Sequence, residues 1–175
     1  MHLKSSRPWL ISASFLIGFG LLAVSALAFF GSALPTRAAE TSDPAVVIGD
    51  YVAAVNAGDL DAILALYSDD AFHIALPSAD GSHGVCVGKE QFRMWYEQSL
   101  ANGDRVAVEG DSIAVDGNQA TFVAKISSEP WTKLGLESLD ATSEIVVIDG
   151  QIMTHVVVLT PESVRQLQAA EAKAA

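Results

Sequence analysis

Residues 9–30 are apolar at every position except Ser12, Ser14, Gly18, Gly20 and Ser25, and no charge occurs between Pro8 and Thr36. As a helix this run spans ~33 Å, enough to cross a bilayer core. It has no polar face, so it does not read as a helix of a soluble core. Lys4 and Arg7 precede it, which predicts that the N-terminus stays in the cytoplasm and the rest crosses. Two outcomes fit: an uncleaved anchor, favoured by the length, or a signal peptide cut near residues 31–33 or 36–38. Either one places the remainder outside the cytoplasm, secreted if the leader is cut.

Beyond residue 42 the pattern becomes periodic. Asp43 and Pro44 read as an N-cap and first helical residue. Val47, Ile48, Tyr51, Val52 and Val55 then recur at helical spacing until Gly58. Asp59 opens a second short helix ending at Asp69-Asp70, and residues 71–76 read as a strand. A third helix covers residues 89–100, with Phe92, Trp95, Tyr96 and Leu100 as its apolar positions. Trp95 and Tyr96 are adjacent and cannot both face inward, and core packing is the default for Trp95. Strands at 105–115 and 119–127 are joined by Asp116-Gly117, and strands at 138–148 and 151–159 by Asp149-Gly150; both dipeptides signal hairpins. Thr160-Pro161 starts a final Ala-rich helix. Helices followed by hairpins predict an α+β class. The chain divides into a leader with linker (1–38), one domain (43–160) and a C-terminal helix or tail (161–175).

From residue 39 onward seven basic residues stand against all 21 acidic ones, a balance of −14. That surface repels nucleic acid and anionic lipid heads, so no nucleic-acid partner is expected. The lone cysteine, Cys86, excludes an intramolecular disulfide and reads as buried filler. His73, His83 and His155 lack metal-ligand spacing, so neither metal nor cofactor is expected.

Residues 51–71, YVAAVNAGDLDAILALYSDDA, are similar to the AGDLDALLALYADDA signature of SnoaL-like polyketide cyclases and ketosteroid isomerases, within the nuclear transport factor 2-like superfamily. Residues 88–92 resemble the start of that family's third helix, and residues 148–152 its Asp-Gly hairpin. The resemblance covers residues 44–160. It implies a cone-shaped, curved antiparallel sheet wrapping about three N-terminal helices, open at one end for a ligand. In ketosteroid isomerase a carboxylate base works with a tyrosine and a protonated Asp. The resemblance puts Tyr51 at the tyrosine and, with a one-residue shift, Asp140 at the protonated acid. The base position holds Ala75 or Leu76. His155 matches the cyclases' last-strand histidine, but their acid position holds Leu159. Met153, His155, Val157 and Leu159 share one face by strand alternation, whereas Glu144 reads as outward-facing.

The leading expectation is an extracytoplasmic domain that binds a small hydrophobic molecule through Tyr51, His73, Trp95, Met153, His155, Val157 and Leu159. The competing one is an isomerase, cyclase or hydrolase acting on a polyketide- or steroid-like substrate with Tyr51, His155 and Asp140. A third is an interaction module; Trp131 lies between the two hairpins and reads as a lid, a subunit contact or plain surface packing, and the apolar strands are compatible with a homodimer.

Overall fold

The computed structural model describes residues 43–77 and 84–174. The leader at 9–30 lies outside them. Among the described residues no helix is long and apolar enough to cross a membrane.

Helix α1 (Pro44–Ala57) starts where Asp43 accepts a hydrogen bond from the Ala45 N–H at 2.9 Å. It stops at Gly58, whose φ of 71° is left-handed. Helix α2 (Leu60–Leu66) is capped by Asp59 in the same manner. The chain then passes directly into strand β1 (Tyr67–Leu76), four residues earlier than the sequence predicts. Its pairing shifts register between Tyr67 and Phe72, so Asp69 and Asp70 sit within the strand rather than ending the helix.

A short β2 (Val85–Val87) leads into α3 (Gly88–Ala101). The strand predicted at 105–115 is broken by a 3-10 turn at Gly110–Ser112 into β3 (Arg105–Val108) and β4 (Ala114–Asp116). Both pieces pair with β5 (Gln119–Ser127). The turn is tied in by Ser112, whose Oγ accepts from the Val123 N–H at 2.9 Å. A short helix α4 (Glu129–Lys133) follows β5 and buries Trp131, which the sequence reads as a lid or subunit contact. Strands β6 (Leu139–Ile148) and β7 (Gln151–Leu159) form the second hairpin, and α5 (Pro161–Ala174) ends the described chain.

The sheet order is β2-β1-β7-β6-β5-β3, with β4 beside β5. It is mixed rather than purely antiparallel, because β1 and β7 run parallel. In β6 the odd positions are buried and the even ones more exposed, as alternation requires. The buried face packs on α1, α2 and α3 through Ile48, Val55, Ile63, Phe92, Phe122 and Ile145. A second cluster joins Trp131, Leu139, Ala141, Leu159 and Leu167, where α4 and α5 meet the far end of that face. Asn56 fastens α1 to β3: its amide donates to the Val106 carbonyl at 2.7 Å and accepts from the Val106 N–H at 2.9 Å.

Candidate functional site

The parallel pairing aligns His73 of β1 with His155 of β7. Both side chains enter the buried face, at 0% and 1% exposure, with ring centroids 4.9 Å apart. Helix α1 presents Tyr51 edge-on to His155 at 5.1 Å. Helix α3 presents Phe92 and Tyr96, four residues apart and both buried, while half-buried Trp95 lies 4.5 Å from the His73 ring. Tyr67, at the start of β1, stacks on Phe92 at 4.6 Å.

One hydrogen-bonded chain runs through this cluster. The Tyr67 hydroxyl lies 2.6 Å from that of Tyr96 and 2.7 Å from His155 Nδ1. Tyr96 reaches Tyr51 at a longer 3.5 Å. Beyond the chain, His155 Nε2 and both ring nitrogens of His73 are buried without a hydrogen-bond partner among the described residues.

Burial keeps every member uncharged near neutral pH. It lowers the His73 pKa to about 4. His155 is pushed well below its usual value, first by burial and then by the neighbouring His73. Burial raises Tyr51 to about 12 and Tyr67 and Tyr96 well above the ordinary range.

Neutral groups give the chain two self-consistent polarities, because each hydroxyl has one proton to give. When Tyr96 donates to Tyr51, Tyr67 donates to Tyr96 and His155 Nδ1–H donates to Tyr67, which leaves Nε2 as an acceptor. When Tyr96 donates to Tyr67, Tyr67 donates to Nδ1 and Nε2 carries the proton.

The expected site residues divide. Tyr51, His73, Trp95 and His155 come together. Asp140 does not join them: Leu139 and Ala141 point inward, so Asp140 points outward, 3.9 Å from Lys125. Val157 and Leu159 pack in the second cluster with Trp131. Met153 falls at the register shift between Ile152, opposite Val147, and Thr154, opposite Val146. Ile152 takes the buried place there instead. Ala75 pairs with Val157 and Leu76 with Val158, so no carboxylate stands at the base position. Sequence reasoning missed Tyr67, and it gave the core place to Trp95 where the structure buries Tyr96 and leaves Trp95 half-buried. The i, i+4 spacing of Phe92 and Tyr96 was the available signal.

A family model described as "SnoaL-like domain" matches residues 48–155. The chain belongs to the SnoaL-like family. Solved structures share its nuclear transport factor 2-like fold. A candidate polyketide cyclase from Sinorhizobium meliloti is 19% identical, with 64% of this chain and 93% of that one covered and a TM-score of 0.52. An M. tuberculosis LEH-like epoxide hydrolase is 14% identical, with 73% and 90% covered and a TM-score of 0.55. An NTF2-like protein of unknown function from Cytophaga hutchinsonii is 13% identical, with 68% and 91% covered and a TM-score of 0.52. At such identities the likeness establishes the fold alone. No curated protein matches the chain. The SnoaL-like family thus supplies the frame of this site, and its chemistry rests on the residues present.

Proposed function

We propose that this SnoaL-like domain binds a small, mainly apolar molecule within its aromatic interior, with the ligand's polar group at His73 and His155. One observation carries the reading: three imidazole nitrogens are buried without partners among the described residues. Each such group costs about 1–3 kcal/mol, and a partner supplied by a ligand removes that cost. The surrounding rings of Trp95, Phe92 and Phe122 suit an apolar body.

Binding is favoured over turnover. A general base works best with a pKa near the operating pH, and His73 at about 4 is far below it. Among the described residues no hydrogen bond of the cluster runs to a carboxylate. The isomerase, cyclase or hydrolase reading therefore lacks its proton acceptor. The apolar leader supports a location outside the cytoplasm, with the domain beside the membrane if the leader is retained.

A second reading, a homodimer, rests on the outward sheet face. Leu76, Val85, Val87 and Val158 are 40–52% exposed. They stand on adjoining strands, where Leu76 pairs with Val158 and Ile74 with Val85. Contiguous apolar surface of this kind marks an interaction site.

Native mass spectrometry of the full chain purified from its own membranes tests both. The expected result is a retained organic adduct on a dimer. A bare mass, together with a crystal structure showing only water at His73, would sink the ligand reading.

A further inference from the structure

We infer that the outer face of the sheet carries a second binding site at the β3 edge, for a small monocarboxylate with a short apolar tail. It lies apart from the aromatic interior and does not depend on what binds there. Val106 and Ala124 are buried, so alternation turns Arg105, Ala107, Lys125 and Ser127 to the outer face. Arg105 pairs with Ser127 and Ala107 with Lys125. Arg105 and Lys125 are thus diagonal neighbours, roughly 7–8 Å apart along the backbone. A surface cavity of about 370 Å³ opens over them, a size within the range of small-molecule sites. Ser138, just before the start of β6, adds a hydroxyl to its lining. Asn56 closes the rim, its amide already held on both sides by Val106.

Charge singles this cavity out. Beyond residue 39 seven basic residues stand against 21 acidic ones, yet two of the seven line the cavity and no acidic side chain among the described residues does. Among the described residues Arg105 joins no ion pair. Its Nη1 donates to the Asp104 carbonyl at 2.7 Å, which leaves the rest of its planar fork for an oxyanion. Two nearby acids do not neutralise the pair. Asp104 turns its carboxylate to the Ser99 hydroxyl at 2.6 Å. Asp140 lies 3.9 Å from Lys125 with both side chains half exposed, a loose surface contact of small energy. Two like charges side by side repel while the cavity is empty, and an anion between them relieves that repulsion. A carboxylate matches the guanidinium fork with two parallel hydrogen bonds, and Lys125 and the Ser127 and Ser138 hydroxyls are donors beside it. Ala107 and the aliphatic stems of Arg105 and Lys125 offer an apolar wall to a tail. The balance of −14 beyond residue 39 penalises each added negative charge. That favours a singly charged carboxylate over a phosphate, which carries more.

The test uses the full chain in detergent micelles at pH 7 and low salt, with three probes: benzoate, its uncharged analogue benzamide, and inorganic phosphate. Binding is read by 15N–1H correlation, at the Arg105 side chain and at the backbone amides of 105–107 and 125–127. Benzoate should give saturable shifts there and bind at least about tenfold tighter than benzamide or phosphate. Arg105→Gln should weaken benzoate at least about tenfold. Lys89→Gln removes the same charge from α3, outside the cavity lining, and should leave the affinity within about twofold. Asp140→Asn removes the competing acid beside Lys125 and should tighten binding. Each of these side chains is partly or fully exposed, so the variants keep the fold. Shifts that do not saturate, or benzamide binding as well as benzoate, overturn the site. So does an equal loss in Arg105→Gln and Lys89→Gln, which would show a general effect of net charge. Phosphate binding tightest overturns the choice of a monocarboxylate.

Discussion

Tyr67 is the residue on which the buried hydrogen-bond chain turns. It is fully buried and touches both Tyr96 and His155 through one oxygen. Tyr67→Phe keeps the ring stack on Phe92 and removes only the hydroxyl. The expected loss is about 1–3 kcal/mol of stability, from stranding its two partners. It is measured by urea denaturation, and a change below about 0.5 kcal/mol, the range of ordinary surface substitutions, would show the chain to be idle. The histidines make a second prediction, with a definite sign. Unfolded, each titrates near 6.5, while folded His73 titrates near 4. Between those values the unfolded state binds more protons, so stability rises with pH through this window and is fully present above 6.5. The His73 share is on the order of 3 kcal/mol. The urea midpoint should therefore fall more steeply between pH 7 and 4.5 in the wild type than in His73→Phe, and parallel curves would contradict neutral burial. Residue types alone pointed to Tyr51, His73 and His155. They did not point to Tyr67, which lies within the motif at 51–71 as one apolar position among several. Its role depends on a partner 88 positions away.

Among the elements, those with local punctuation were readable. Asp43, Gly58 and the two Asp-Gly turns marked α1 and both hairpins because each satisfies a backbone demand within a few residues. Gly58 can be tested directly. Its φ of 71° disfavours a side chain, although no atom lies within 4 Å of the Cβ position. Gly58→Ala should then cost about 1 kcal/mol through backbone strain alone, seen as a lower urea midpoint with unchanged circular dichroism. What sequence periodicity could not supply was register. The shifts within β1 and β7 are set by how two distant strands fit together. They put Asp69 and Asp70 into a strand and gave Ile152 the place expected for Met153. Asp140 was assigned through a one-residue offset, and in a strand one residue reverses the face.

For the molecule as a whole, the acidic surface and the apolar outer sheet face bear on assembly. If Leu76, Val85, Val87 and Val158 meet a second copy, Val158→Arg should convert the dimer to monomer in native mass spectrometry without loss of the retained organic adduct, since Val158 is on the exposed face of β7 while His155 is buried. A dimer that survives places the contact elsewhere. The parallel pairing of β1 with β7 has one further consequence, in time rather than space. A chain made from its N-terminus presents Tyr51, Tyr67, His73 and Tyr96 well before His155 exists. The histidine pair is completed only when β7 arrives and slots in beside β1. The site is thus among the last parts of the domain to be finished, and a chain cut short before residue 155 has no site, however well its helices have formed.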